Sequence, residues 1–160
     1  NIGIEIHAYI KSIGTVQASS LDYVNPNFAA INTAFPVTDQ NSSTEMQNAI
    51  AKAKESGDSI GGVIECIATG LPAGLGEPMF NGIESKLAQI IFGVPAVKGL
   101  EFGSGFYGST LYGSQNNDPY TIEDGRIQTT TNNAGGILAC DGNERLGHGF
   151  VPPEIECFIC

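Results

Sequence analysis

Three glutamates, Glu65, Glu77 and Glu101, stand in or beside the most apolar part of the sequence. A carboxylate in such surroundings can transfer protons in general acid–base catalysis when burial removes its water. The sequence places no His or Lys directly beside any of them, so structural pairing or exposure to solvent is the better-supported interpretation. We therefore assign no catalytic residue on the basis of these carboxylates.

A glycine-rich segment, GSGFYG at residues 103–108, fits the G-x-G-x-x-G pattern and follows a predicted strand. That pattern binds a dinucleotide only where a helix begins directly after it and directs its N-terminus at the pyrophosphate. Residues 109–118 are rich in Gly, Ser and Asn, which disfavours such a helix. We therefore expect no dinucleotide site here.

Four potential zinc ligands lie near the end of the chain: Cys140, His148, Cys157 and Cys160. Their number suits a closed tetrahedral site. Their spacing matches no established zinc motif, because Cys140 and His148 are eight positions apart rather than the two to four of the usual pairs. We interpret the set as coincidental and predict no metal site.

Composition narrows the class of function. The net charge is −10 and the seven Lys and Arg residues are scattered, which argues against nucleic acid as a partner. The longest apolar run, around residues 87–97, is interrupted by Gly93 and Pro95 and is shorter than a membrane span. No secretory signal is evident, so we expect a cytoplasmic protein, with a plastid as the alternative.

The predicted elements that would position such residues indicate an α+β fold. Apolar residues alternate through residues 2–10, which predicts a strand that buries the Ile2, Ile4 and Ile6 face and exposes His7. Ser42 and Glu45 form a capping box for the first helix, and Gly57 suits its C-terminal cap. Further predicted elements are a strand at 61–71, a helix from Ile83 that ends near Gly93, a strand at 97–102 and short strands at 126–131.

Five segments, in order, resemble motifs of the chorismate synthases. They are GDSIGGVIE (57–65), TGLPAGLGEPMF (69–80), PAVKGLEFGSGF (95–106), GSQN (113–116) and NNAGGIL (132–138). The resemblance implies a β-α-β sandwich of the chorismate synthase type, here incomplete, and a homotetrameric assembly. It also implies the anti-1,4-elimination of phosphate from 5-enolpyruvylshikimate 3-phosphate to give chorismate, with reduced FMN as cofactor.

The resemblance assigns flavin contacts residue by residue. In the family, FMN contacts the dipeptide before the VKG strand, here Pro95 and Ala96, and the glycine after GGIL, which is Ala139 in this chain. A methyl group at Ala139 narrows the space that a glycine leaves for a cofactor. We expect Ala96 and Ala139 to face a common cleft.

The chain also departs from the family pattern. An N-terminal histidine motif, a Ser-Arg-rich flavin segment and a C-terminal Arg-Ser-Asp motif do not occur in it. We expect residues 1–138 to form a partial chorismate synthase domain and residues 139–160 an atypical tail, with no catalytic residue and no activity in isolation. The alternative is a non-catalytic remnant that binds flavin or a partner.

Overall fold

The computed structural model describes residues 3–21, 26–71, 79–123, 126–137 and 154–159. Its strands and α-helices, numbered along the chain, are β1 (Glu5–Ile13), β2 (Val16–Gln17), α1 (Gln40–Glu55), β3 (Gly62–Thr69), α2 (Ile83–Ile91), β4 (Val97–Phe102), α3 (Gly113–Asn116), β5 (Tyr120–Glu123), β6 (Arg126–Thr129) and β7 (Glu154–Ile159). Short 3-10 helices occupy Phe28–Ile31, Met79–Asn81 and Gly105–Thr110. Among the described residues, no helix combines the length and apolarity needed to cross a bilayer.

The main sheet has five strands in the order β2-β1-β3-β7-β4, and every pairing in it is antiparallel. β5 and β6 form a separate two-stranded hairpin. An antiparallel sheet combined with helices confirms the predicted α+β class. Strand β7 comes from the predicted tail, and it lies inside the sheet between β3 and β4.

The prediction for β1 was wrong about its buried face. Ile6 is 71% exposed and Ala8 is exposed, whereas Tyr9 is buried. The 3-10 segment Phe28–Ile31 packs on this face, and Tyr9 forms a hydrophobic cluster there together with Leu21, Ile31 and Ile67. His7 is also not solvated as predicted, because its ring stacks on Phe28 with centroids 3.6 Å apart.

Helix α1 was predicted correctly, but its N-cap was not. The helix begins after Asp39, whose carboxylate accepts a hydrogen bond from the Ser42 N–H at 2.8 Å. Asp39 rather than Ser42 occupies the N-cap position, because the same carboxylate also accepts the Ser19 N–H at 3.0 Å. This second hydrogen bond connects the start of the helix to the residues that follow the β1–β2 hairpin. At the other end Gly57, with φ of +69°, forms the predicted C-terminal cap.

The unit β3-α2-β4 follows the predicted pattern closely. α2 ends at Ile91, two residues before Gly93, and β4 covers the predicted strand at 97–102. None of the residues of α2 is fully buried, and Ile90 is 69% exposed. The apolar side of this helix is therefore partly covered in the described part of the chain, with Ile83, Leu87 and Ile91 half-buried and Ile90 open.

Candidate functional site

The turn between α2 and β4 contains the predicted flavin contacts Pro95 and Ala96. The helix is closed by hydrogen bonds from Phe92 N–H to Ala88 O and from Val94 N–H to Ile91 O, both 2.9 Å. Pro95 follows directly and stops the helix, since a proline disfavours helical backbone at the residue before it. Among the described residues, Ala96 is the one non-glycine residue with a positive φ, at 72°.

That backbone conformation is strained. An L-residue with a side chain loses about 1–2 kcal/mol in the left-handed region, because its Cβ approaches the following carbonyl group. Such strain concentrates at functional sites, where the surrounding structure enforces it. The neighbouring side chains of Phe92 and Val94 are about half exposed, at 53% and 52%. The turn therefore presents strained backbone and apolar surface to the outside.

A second turn lies at the opposite end of β4. Gly103 follows β4 and packs so tightly against Asn133 and Gly135 that a Cβ on it would overlap their backbone. The Ser104 N–H donates to Asn133 O at 2.7 Å. The NNAGG segment is thereby fixed beside the C-terminal end of β4.

The two turns are thus separated by the length of β4, about 20 Å at 3.3 Å per residue. Ala139 lies outside the described residues, so the predicted cleft between Ala96 and Ala139 stays a prediction. The described part shows that Pro95–Ala96 and Gly135–Gly136 are not neighbours.

Glu65 is the most deeply buried charged residue of the described chain, with no exposed surface. Its Oε1 accepts a hydrogen bond from the Tyr9 hydroxyl at 2.6 Å, and its Oε2 lies 2.8 Å from Lys11 Nζ. The sequence interpretation missed Lys11 as a partner. The pairing could have been found from the antiparallel register of β1 and β3, which places Tyr9 opposite Glu65. The register shifts between Ile10 and Ser12, and Lys11 lies at this bulge, near Glu65.

The other two candidate carboxylates differ from Glu65. Glu101 is half-buried, and its side chain lies against Gly105, whose φ is +49°. Glu77 lies outside the described residues. Because Glu65 is fully buried and paired with Lys11, we interpret it as part of a structural ion pair rather than of an open catalytic site.

The carboxyl group of Asp39 is electrostatically perturbed by its position at the start of α1. Hydrogen bonds from the backbone N–H groups of Ser42 and Ser19 lower the pKa of its carboxyl from 3.8 to about 2. Within the described ranges, no group of three or more His, Cys, Asp or Glu side chains is arranged to hold a metal ion. Of the four potential zinc ligands, Cys157 lies in β7 and the other three lie outside the described residues.

Comparison with known proteins gives one consistent result. A family model described as chorismate synthase matches residues 1–144. A chorismate synthase of Dehalococcoides mccartyi is 47% identical over 139 residues, which are 86% of this chain and 38% of that protein. One from Methanosarcina barkeri is 41% identical over 136 residues, 85% of this chain and 37% of that protein.

A solved structure, titled a crystal structure of chorismate synthase, superimposes on this chain with a TM-score of 0.79 at 26% identity. The match covers 99% of this chain and 49% of that chain, and it thus includes the predicted tail. The chain spans about 38% of the length of the curated relatives that it matches.

Proposed function

This chain belongs to the chorismate synthase family, whose members are lyases, and from that premise we propose that it contributes part of the flavin-binding wall of a chorismate synthase. The reaction is the anti-1,4-elimination of phosphate from 5-enolpyruvylshikimate 3-phosphate, in the biosynthesis of aromatic amino acids. We assign it to the cytoplasm, with a plastid as the alternative. FMN, when bound in its reduced form, supplies transient electron density that lets phosphate leave.

The observation that carries the proposal is the strained backbone at Ala96. The family resemblance assigns a flavin contact to this position, and the structure gives it a conformation that costs stability without serving the core. A flavin ring needs an apolar, rigid surface. The half-exposed side chains of Phe92 and Val94, with the proline-stiffened turn between them and β4, fit that need.

The phosphate groups of the cofactor and substrate make a different demand, since they need several converging cations. The Lys11 ammonium group is already paired with Glu65. Lys86 and Lys98 are exposed and stand on different elements, α2 and β4. We therefore assign the flavin ring contact to this chain and assign the phosphate clamp to none of its described residues.

Flavin titration tests the ring contact. We expect the chain to quench FMN fluorescence, and Ala96→Asp to weaken the affinity at least about tenfold by placing a negative charge beside the anionic cofactor. Asp tolerates the left-handed conformation, so the turn should keep its shape. Ser59→Asp adds the same charge at an exposed loop and should leave the affinity unchanged. Equal affinities in all three proteins would contradict the assignment.

Turnover is tested separately. The isolated chain, assayed without oxygen with photoreduced FMN and 5-enolpyruvylshikimate 3-phosphate, should form no chorismate above a control without protein. The reasons are the net charge of −10 and the pairing of Lys11 with Glu65, which leave few cations for a substrate that carries three acidic groups. Measurable turnover would show that this chain alone assembles the phosphate clamp.

We also propose that the chain self-associates, as the homotetrameric family assembly implies. Large apolar side chains are open on three elements, with Ile6 71%, Ile90 69% and Phe106 79% exposed. Surfaces of this kind mark protein interfaces or promote aggregation. Sedimentation velocity at micromolar concentrations should show oligomers, and Ile90→Lys should reduce them. A clean 16.7 kDa monomer would contradict this proposal.

A further inference from the structure

Four aromatic side chains and one isoleucine are exposed on the segment that follows β4. They lie on the 3-10 helix Gly105–Thr110, directly before α3 and on β5. Their exposed fractions are Phe106 79%, Tyr107 67%, Tyr112 79%, Tyr120 58% and Ile122 72%. We call these five residues the aromatic surface. They take no part in the buried cluster around Tyr9 or in the proposed flavin contact.

The backbone beneath the aromatic surface is held by hydrogen bonds. The Ser104 hydroxyl donates to Asn116 Oδ1 at 2.8 Å and closes the segment 104–116 into a loop. Within this loop, the Ser109 hydroxyl donates to Phe106 O at 2.7 Å. A loop that is already ordered loses little conformational entropy on binding, and a tyrosine has only two side-chain torsions to fix. The segment therefore presents its rings to a partner at low entropic cost.

The β5–β6 hairpin carries the rest of the aromatic surface. Tyr120 and Ile122 are two positions apart in β5 and therefore lie on one face of the hairpin. Within the described ranges, β5 pairs with β6 and with no strand of the main sheet. Two strands alone are marginally stable in water, and packing of an apolar face stabilises them. The exposed Tyr120–Ile122 face is the place where such packing would stabilise this hairpin.

The segment that carries the aromatic surface has no exposed charge. The protein has 17 acidic and 7 basic residues, so two copies repel each other wherever their carboxylates meet. Between Glu101 and Glu123 the one charged residue is Asp118. It is buried and accepts the Thr131 hydroxyl and the Asn133 N–H of its own chain. The centres of protein interfaces are likewise rich in aromatic and poor in charged residues. A nucleic acid that stacked on the rings would find no Lys or Arg there.

The area of the aromatic surface is close to what a dimer needs. A fully covered aromatic side chain buries about 200 Å², so the four rings at their exposed fractions offer about 570 Å². A stable interface covers about 800 Å² on each partner, and Ile122 adds to the contribution of the rings. We propose that the aromatic surface is an interface between two copies of this chain, each of which contributes the same five side chains about a two-fold axis. The inference rests on the self-association proposed above and names its surface.

Sedimentation velocity of the whole chain at micromolar concentrations tests the interface. We expect Phe106→Glu to weaken self-association at least about tenfold, because the two-fold axis brings two added charges together. Asn48→Glu adds the same charge at an exposed position of α1 and should leave self-association unchanged, so it is the matched control. Tyr112→Ser removes a ring without adding charge and should weaken self-association at least about threefold. Serine is favoured at this N-cap position, so α3 is kept.

Two further measurements use the unmodified chain. Added sodium chloride should strengthen self-association, because salt screens the repulsion between two acidic copies and the aromatic surface contains no ion pair to weaken. Hydrogen exchange of the backbone amides in residues 105–122 should slow as the protein concentration rises, because a second copy then covers them.

The outcomes are distinct. Oligomers that persist unchanged in Phe106→Glu, or in Tyr112→Ser should the first variant not fold, overturn the inference, and their loss in Ile90→Lys then leaves the proposed self-association standing. Equal weakening in Phe106→Glu and Asn48→Glu also overturns it, because total charge would then control assembly. Oligomers without slowed exchange at residues 105–122 overturn it and leave the aromatic surface to a different, uncharged protein surface. A monomer at every concentration overturns both the inference and the self-association.

Discussion

Replacing Lys11 by Met tests whether the buried charge of Glu65 depends on its ion pair. The substitution keeps most of the aliphatic stem and removes the ammonium group that lies 2.8 Å from the carboxylate. The Tyr9 hydroxyl still donates to the other oxygen. Glu65, with no exposed surface, would then be a buried carboxylate without its cation.

The magnitude follows from the geometry. Two unit charges 2.8 Å apart attract by about 1.5 kcal/mol in water and by about 6 kcal/mol at an effective dielectric constant of 20. The Lys11 side chain is 31% exposed and Glu65 is not exposed at all, so the environment lies between these limits. We expect a loss of about 2–4 kcal/mol in the free energy of unfolding, which overlaps the range for removing one partner of a buried pair.

Urea unfolding followed by circular dichroism measures this loss. Lys86→Met removes the same charge from an exposed position on α2 and should change the free energy of unfolding by less than about 0.5 kcal/mol. The double variant Lys11→Met/Glu65→Gln removes both charges and should be more stable than Lys11→Met alone. A Lys11→Met protein as stable as the Lys86→Met control would refute the reasoning.

Two further predictions concern local backbone structure. Asp39→Ala should cost about 1 kcal/mol through loss of the α1 cap. Asp39→Asn should cost part of that, because an amide can accept only one of the two backbone N–H groups that the carboxylate accepts. Because the pKa of Asp39 is lowered to about 2, its stabilising effect is complete above about pH 4 and is lost as the pH falls towards 2. Acid unfolding should show the stability difference from Asp39→Asn changing only in that window. Gly103→Ala should cost at least about 2 kcal/mol in thermal unfolding, because its Cβ would overlap Asn133 and because φ is +57°. Gly57→Ala, also at positive φ but with no atom within 4 Å of the new Cβ, should cost about 1 kcal/mol. Equal losses for the two glycines would contradict the packing at Gly103.

The sequence alone predicted those elements whose residue pattern lies within a single segment of the chain. Helical spacing predicted α1 and α2, and Gly57 marked the end of α1 because only the left-handed cap explains a glycine there. The start of α1 was missed because Asp39 is favoured by Ser19, which is distant in sequence. No pattern within one segment contains that information.

The prediction of the buried face of β1 failed for a similar reason. Both faces of this strand carry large side chains, so alternation alone could not rank Ile6 against Tyr9. The Tyr9 face is buried because the Tyr9 hydroxyl donates to Glu65 and because Phe28–Ile31 packs on it. Both contacts come from other parts of the chain. At the candidate site, residue identity indicated Pro95 and Ala96 only through family resemblance. The positive φ of Ala96 was not predictable, because alanine rarely adopts it.

The position of β7 in the main sheet has a consequence for the speed and order of folding. β3 and β4 do not pair with each other, since each pairs with β7, and Cys66 and Phe102 both lie opposite Ile155. Pairings between such distant parts of a chain form slowly, because a long loop must close before they contribute energy. During synthesis from the N-terminus, the facing edges of β3 and β4 stay open until residues 154–159 have left the ribosome. Strand edges with unpaired backbone N–H and C=O groups promote aggregation with other chains. The yield of correctly folded chain should therefore depend on the rate of translation as well as on the stability of the finished sheet.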